Sequence, residues 1–207
     1  MTLSAKSQGR LIVFEGVDAA GKSAIAKQVK SKLDAQRVSA QLLSFPGKTP
    51  HTLGDLVYRL HHTPQDCGVS KLSAASLQAL HIAAHLDTIE TTIIPSLEAG
   101  VSILLDRYWW STLAYGLVDG VKPAILHSLI EAEKQAWGNW RPHCLFYVRR
   151  ANPLRPESHE KLTRLRAAYE SVAKSEFGNY PITMIENETT LDEATDAAIS
   201  FLSQAKR

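Results

Sequence analysis

Residues 16–23 read GVDAAGKS, and this segment constrains the chain more than any other feature of its sequence. It fits the pattern GxxxxGK[ST], in which glycines let the backbone curl so that successive N–H groups face an anion. The apolar segment LIVFE precedes it, and a segment with the apolar period of a helix follows from Lys22. A strand before and a helix after are the context that a phosphate-binding loop requires. The alternative interpretation is a glycine turn that only joins the strand to the helix.

The rest of the chain repeats this alternation of short apolar segments, rich in β-branched residues, with longer segments of helical period. Such alternation is typical of a parallel sheet covered on both faces. We therefore predict an α/β, three-layer P-loop fold with a five-stranded parallel sheet and helices on both faces. The predicted strands are residues 11–15, 38–45, 101–105, 143–148 and 182–186, and the predicted helices are residues 22–36, 72–98, 123–137, 158–177 and 191–204.

Length and composition narrow the class of protein further. A chain of 207 residues is expected to form one domain, and its net charge of +2 is too small to indicate a nucleic-acid-binding surface. No apolar run approaches the roughly 20 residues of a membrane-spanning helix. The first ten residues lack a signal peptide's apolar stretch, and two cysteines are too few for a disulfide framework. We therefore expect a cytoplasmic protein without membrane contact.

The chemistry of the loop predicts a nucleoside triphosphate site. Lys22 is expected to reach the β- and γ-phosphates, and the Ser23 hydroxyl to ligate Mg²⁺. Asp106 and Arg107 follow a predicted strand, and the carboxyl ends of parallel strands meet at one edge of the sheet. Asp106 could hold Mg²⁺ through water there, and Arg107 could bind phosphoryl oxygens. An ordinary Asp106–Arg107 ion pair is the alternative.

Four segments, in this order, resemble the thymidylate kinase family of nucleoside monophosphate kinases. They are FEGVDAAGKS, SFPGKTP, DRYWWSTLAYG and RLRAAYESVA, at residues 14–23, 44–50, 106–116 and 164–173. The resemblance spans nearly the whole chain. It implies a single P-loop kinase domain over residues 1–207 that uses ATP and Mg²⁺ to phosphorylate a deoxynucleoside monophosphate, with dTMP as the default acceptor.

The resemblance also implies a short lid at about residues 149–158. Alanines stand before Gly21 where the loop could have carried an arginine, and family members without that arginine carry catalytic arginines in the lid. The alternative for this basic segment is a solvated helix face. The residues predicted to be catalytic are Lys22, Asp106, Arg107, Arg149, Arg150 and Arg155; those predicted to bind ATP are Gly16, Asp18, Ala19, Ala20, Gly21, Lys22, Ser23 and Ala24; the metal ligands are Ser23 and Asp106.

The predicted acceptor site departs from the family pattern. Lys48 replaces an arginine or a glycine pair, and Leu86 stands where the family carries an arginine. Gly116 follows Tyr115 in place of a polar base-contacting side chain, which predicts an enlarged pocket. The residues predicted to bind the acceptor are Asp18, Phe45, Pro46, Lys48, Ile82, His85, Arg107, Tyr108 and Tyr115.

Several alternatives stay open at this stage. Trp109 and Trp110 either stack on the acceptor base or belong to the core. His81 and His85 have the spacing of two metal ligands on a helix, but no HExxH glutamate accompanies them, so we interpret His85 as a polar pocket or surface residue. The acceptor could be another nucleotide or a modified base in DNA, and the protein could instead be a non-catalytic ATP-binding regulator. A homodimer through the helix at residues 72–98 is a further possibility.

Overall fold

A five-stranded parallel sheet forms the centre of the fold in the computed structural model, which describes residues 8–154 and 158–204. The strands are β1 Leu11–Glu15, β2 Ala40–Ser44, β3 Ser102–Asp106, β4 Cys144–Arg149 and β5 Ile182–Glu186. They lie in the order β2-β3-β1-β4-β5, and each neighbouring pair is parallel. The predicted α/β sheet is therefore confirmed, with boundaries displaced by one or two residues at three strands.

Strand order determines where a ligand can bind. The chain leaves β1 for β2 and β3 on one side of it, and later enters β4 on its other side. Such a reversal opens a crevice at the carboxyl end of the central strand, because the flanking connections diverge there. The segment that follows β1 is the predicted phosphate loop, so the topology places this loop at the crevice.

The helices cover both faces of the sheet. They are α1 Lys22–Ala35, α2 Leu53–His62, α3 Ala74–Thr88, α4 Ile94–Glu98, α5 Trp109–Val118, α6 Pro123–Trp137, α7 His159–Ser175 and α8 Leu191–Gln204. One group consists of α1 and α8, which pack together. In the other group, α5 packs against α6 and α7, and α3 packs against α2, α5 and α6.

The helix predictions were correct in part. The single helix predicted at residues 72–98 is interrupted by a π-helical turn, Ile89–Ile93, between α3 and α4. Helices α2 and α5 were not predicted. Six of the ten residues of α5 are buried, so it lacks the polar face that gives a helix its sequence period. Ser158 caps the N-terminus of α7, since its hydroxyl accepts from the Lys161 N–H at 3.2 Å.

Aromatic side chains fill the space between the sheet and α5. Trp110 is fully buried, and its indole N–H donates to the Tyr180 hydroxyl at 2.9 Å. Trp109 is also buried, with 3% of its surface exposed. Both tryptophans therefore belong to the core. No helix in the described part of the chain combines the length and apolar character that crossing a membrane requires.

Candidate active site

The loop between β1 and α1 is shaped by backbone angles that favour glycine. Gly16 has φ of 141° and Gly21 has φ of 102°. A Cβ on Gly16 would lie 2.2 Å from the Val148 carbonyl oxygen, so only glycine allows β4 to pass this close. Lys22 begins α1, whose N-terminal N–H groups face the loop's interior and favour an anion there.

Asn187 braces this loop from the end of β5. Its side-chain amide donates to the Ala20 carbonyl at 2.7 Å, and its own N–H donates to the Arg149 carbonyl at 2.8 Å. A Cβ on Gly21 would lie 2.2 Å from the Asn187 Nδ2. Gly21 therefore lets Asn187 approach the loop closely, and the two residues together hold the loop between β1 and β5.

Lys22 lies inside the site with 4% of its surface exposed, and its Nζ donates to the Val17 carbonyl at 2.8 Å. Burial lowers the pKa of Lys22 to about 8, and the nearby charge of Arg107 acts in the same direction. The carboxylates of Asp106, Asp18 and Glu15 partly oppose this shift. A polyphosphate at the loop would favour the charged amine, because it supplies the negative charge that burial removes.

Ser23 and Asp106 meet at the edge of the loop, where the Ser23 hydroxyl donates to Asp106 Oδ2. The other carboxylate oxygen, Oδ1, is buried and has no hydrogen-bond partner among the described residues. A buried carboxylate oxygen without a donor calls for a ligand such as a metal-bound water. One hydroxyl and one carboxylate are a donor set that suits Mg²⁺, so the residues present fit this ion.

Arg107 pairs with the loop rather than with its sequence neighbour. Its Nη2 forms an ion pair with Asp18 Oδ1, and its Nη1 donates to Ser111 Oγ at 3.0 Å. The alternative of an ordinary Asp106–Arg107 ion pair is therefore wrong. Burial by itself would raise the pKa of Asp18, but Arg107 and Lys22 outweigh it and hold that pKa below its usual value. Asp18 also donates its backbone N–H to the Tyr115 hydroxyl at 2.9 Å.

The predicted acceptor residues near β2 form a stacked group. The ring of Phe45, which precedes Pro46 through a cis peptide bond, stacks on His85 with centroids 3.9 Å apart. His85 Nδ1 lies 2.8 Å from Glu133 Oε2, and both side chains are buried. His85 is thus held between a ring and a carboxylate. Ile82, one turn earlier on α3, is also buried.

Other predicted acceptor residues lie in different surroundings. Lys48 is exposed, and its Nζ lies 4.3 Å from the centroid of the Tyr58 ring. The ring of Tyr108 packs between Trp109 and Trp137 in the core, with centroids 5.9 and 5.3 Å away. The Arg107 guanidinium carbon, Cζ, lies 5.5 Å from the centroid of the Tyr115 ring. Of these, Tyr115 is the one that the structure brings next to the phosphate loop.

The enlarged pocket that was predicted at Gly116 is not formed. A Cβ on Gly116 would lie 2.5 Å from Leu126 Cδ2 and 3.3 Å from Gln78 Cγ. Neighbouring side chains therefore occupy the space that a side chain at this position would need. The sequence could not indicate this, because both neighbours come from other helices.

Two histidines that face each other line the α2–α3 junction. His61 Nδ1 and His81 Nε2 are 3.2 Å apart, so one ring must donate to the other. Burial lowers the pKa of His81 to about 3, with His85, His61, Arg107 and His62 adding to the effect. His81 and His85 therefore have separate partners, His61 and Glu133, rather than a shared ligand.

Arg166 holds the described part of the predicted lid, residues 149–154, to α7. Its Nη2 donates to the Arg150 and Ala151 carbonyls, both at 2.6 Å. Arg149 Nε lies 3.5 Å from Glu186 Oε1, and the Leu154 N–H donates to the Ala19 carbonyl at 3.2 Å. The segment thus contacts the phosphate loop. Arg155, also predicted to be catalytic, lies outside the described residues.

Comparison with protein families tests the resemblance seen in the sequence. Residues 14–191 match the family model described as thymidylate kinase. The chain belongs to the thymidylate kinase family. The matched region contains the phosphate loop, Asp106, Arg107 and the described part of the lid, so the site lies entirely within the family domain.

Individual thymidylate kinases align with much of this family member. The thymidylate kinase of Symbiobacterium thermophilum is 35% identical over 132 residues, which are 64% of this chain and 58% of that protein. The thymidylate kinase of Leptospira borgpetersenii serovar Hardjo-bovis is 28% identical over 179 residues, which are 80% of this chain and 82% of that protein. The crystal structure of thymidylate kinase from Ehrlichia chaffeensis has the same fold, with a TM-score of 0.74 at 20% identity, and covers 94% of this chain and 99% of that one.

Sequence reasoning missed two polar residues that support the site of this thymidylate kinase family member. Asn187 follows β5 directly, and the rule that identified Asp106 at the end of β3 could also have identified it. Glu15 is the last residue of β1 and is fully buried. From the sequence, it was assigned only to a strand. A charged residue at the end of an apolar strand was the signal available for Glu15.

Proposed function

We propose that this protein is a magnesium-dependent kinase that transfers the terminal phosphoryl group of ATP to dTMP. The observation that carries the proposal is the meeting of Ser23 with Asp106 beside the phosphate loop, with one buried carboxylate oxygen left without a donor. Family membership supports the same reaction. In this reaction an oxygen of the acceptor phosphate attacks the γ-phosphorus, the bond to the bridging oxygen breaks, and ADP and dTDP are released.

The loop and its neighbours would position the donor. Backbone N–H groups of residues 16–23 would bind the phosphates, with the Lys22 amine at the β- and γ-phosphates. Ser23 and, through water, Asp106 would hold Mg²⁺, which when bound neutralises charge on the phosphoryl oxygens. A cleft of about 150 Å³ opens beside Val17, Arg149 and Arg166, and we assign it to the nucleoside of ATP.

Arginines would stabilise the charge that moves during transfer. Arg107 is held by Asp18 and Ser111 at the edge of the loop, where its guanidinium could bind the acceptor phosphate. Arg149 and Arg150 lie at the described base of the lid, and we propose that lid arginines bind the transferring group, as arginine fingers do in other phosphoryl transfers. A closed lid would also exclude water and so suppress ATP hydrolysis.

A second acceptor is an alternative because two positions that the resemblance assigns to base contact carry no polar side chain. Leu86 offers no hydrogen bond to a base, and Gly116 offers no side chain. Another nucleotide, or a base within DNA, would then replace dTMP.

Cys67 and Cys144 are free thiols, which accords with a reducing, cytoplasmic location. We also propose, from the family resemblance alone, that the protein forms a homodimer.

The test is a transfer assay with labelled ATP, Mg²⁺ and a panel of acceptors. We expect dTMP to give labelled dTDP and one ADP per turnover, at rates well above those with dGMP and dAMP. The Lys22→Met variant should lose at least about 100-fold in kcat, because it removes a charge at the transferring phosphates. Label appearing in oligonucleotides but not in dTDP would favour the alternative acceptor. ATP binding without transfer to any acceptor would favour a regulatory role.

A further inference from the structure

Gln78 is a buried polar residue on the face of α3 that packs against α5 and α6. Only 4% of its surface is exposed. It precedes Ile82 by one helical turn and His85 by two, so the three residues form one stripe along the helix. His85, at one end of this stripe, has its carboxylate partner in Glu133.

The amide of Gln78, by contrast, has no hydrogen-bond partner among the described residues. A glutamine amide has two N–H donors and one acceptor oxygen, and leaving such groups buried and unpaired is unfavourable. Asp106 Oδ1 is the one side-chain polar atom in the described ranges that is both fully enclosed and unpaired. The Gln78 amide is therefore not sealed in the core, and it borders space that a ligand can reach.

The position of Gly116 relates Gln78 to the acceptor side of the site. A Cβ on Gly116 would lie 3.3 Å from Gln78 Cγ, so Gln78 extends through the space next to this glycine. Gly116 directly follows Tyr115, whose hydroxyl accepts from the Asp18 N–H and whose ring lies beside Arg107. Gln78 thus fills, from another helix, the room that a polar side chain after Tyr115 would take.

We infer that the Gln78 amide binds the base edge of the acceptor nucleotide, an inference that rests on the proposed function. For thymine, the amide oxygen accepts from N3–H while the amide nitrogen donates to O4. For cytosine, the amide turns over, accepts from the N4 amino group and donates to N3. An amide satisfies both edges, and Leu86 adds no donor that would favour a carbonyl. The site therefore accepts dTMP and dCMP with little discrimination between them.

Equilibrium binding of dTMP and dCMP to the full chain and its variants tests this inference. Gln78→Leu removes the amide at similar volume and should weaken the binding of both nucleotides by about 10-fold, which is about 1.4 kcal/mol, because each base loses two hydrogen bonds. Gln78→Glu keeps the shape but has no N–H, so it loses the donor to thymine O4 and the donor to cytosine N3 alike. Both affinities should therefore fall by about 10-fold, and their ratio should stay close to that of wild type.

The controls separate base recognition from folding. Gln135→Leu, at an exposed position of α6, should leave both affinities unchanged. ATP affinity and melting temperature should stay close to wild type in every variant, because the amide has no partner in the protein to lose.

Three results would overturn the inference: wild type that binds neither nucleotide, Gln78→Leu that binds both as wild type does, or Gln78→Glu that binds both as wild type does. A different result would contradict the proposed function alone. Nucleotide binding would still depend on Gln78, but wild type would transfer no phosphoryl group to any nucleoside monophosphate.

Discussion

Glu15 joins the end of β1 to the beginning of α5. Its carboxylate accepts from the Tyr108 N–H at 2.7 Å, the Ser111 N–H at 3.0 Å, the Ser111 hydroxyl at 2.8 Å and the Tyr169 hydroxyl at 3.2 Å. Burial raises its pKa, although Arg107, Ser111 and Lys22 act against that rise. The segment that carries Asp106 and Arg107 is therefore held against the phosphate loop by one carboxylate.

Replacing Glu15 by glutamine should destabilise the fold. The amide keeps the shape but turns one acceptor into a donor that faces backbone N–H groups, and unpaired buried groups cost about 1–3 kcal/mol each. We expect Glu15→Gln to lower the free energy of unfolding by about 2–4 kcal/mol in urea denaturation. Glu131→Gln, at an exposed position of α6, should change it by less than about 0.5 kcal/mol. If Glu15→Gln had the same free energy of unfolding as wild type, the Glu15 contacts would not contribute to stability.

Residues differ in how far the sequence alone reveals them. Gly16, Lys22 and Ser23 could be predicted because a phosphate loop needs fixed residue types at fixed spacing. The strand-end rule could have selected Asn187, but its contact with the Ala20 carbonyl depends on the fold, and no pattern in the sequence distinguishes Gln78. Gly116 shows the opposite error, because the missing side chain suggested space that Leu126 and Gln78 fill.

At the scale of elements, α2 and α3 bring together a group of histidines that includes the predicted acceptor residue His85. The ring centroids of His61 and His81 are 5.2 Å apart, and the ring centroids of His81 and His85 are 6.2 Å apart. Burial is the main reason that the pKa of His81 falls to about 3, and His85, His61, Arg107 and His62 contribute to it. The helix pair is therefore built around a histidine that stays neutral.

This arrangement predicts acid sensitivity. Between pH 7 and pH 5, His81 becomes protonated in the unfolded chain but stays neutral in the folded chain. The free energy of unfolding therefore falls as the pH falls. The loss amounts to about 2 kcal/mol at most, from about 1.4 kcal/mol for each pKa unit crossed. His81→Gln should therefore reduce the difference in unfolding free energy between pH 7 and pH 5. His127→Gln, at an exposed position, serves as control, and an unaltered pH dependence in His81→Gln would contradict this account.

The longer helices with a polar face were predicted well, and the two ten-residue helices, α2 and α5, were not. Helices α6 and α8 match the predicted ranges because their apolar residues recur at helical spacing. Helix α5 was missed because its residues are buried on most sides, so WWSTLAYGLV carries no period of its own. Helix α2 was missed because it is short; its N-cap, Thr52, accepts from the Asp55 N–H at 3.2 Å.

At the scale of the whole molecule, the carboxyl ends of four strands converge on one site. Strand β1 leads into the phosphate loop, β3 ends at Asp106, β4 leads into the described part of the lid, and β5 is followed by Asn187. The parallel sheet makes this convergence unavoidable, and strand alternation was enough to predict it. The acceptor side depends on packing between α3, α5 and α6, which sequence periodicity does not specify.

The central claim is that Asp106 completes a magnesium site for phosphoryl transfer. Its most direct test is kcat for dTMP phosphorylation, measured against Mg²⁺ concentration in wild type, Asp106→Asn and the exposed control Asp34→Asn. We predict that Asp106→Asn lowers kcat by about 100-fold or more and raises the Mg²⁺ needed for half-maximal rate, with dTMP affinity close to wild type. An Asp106→Asn variant with the rate and Mg²⁺ dependence of wild type would contradict the account.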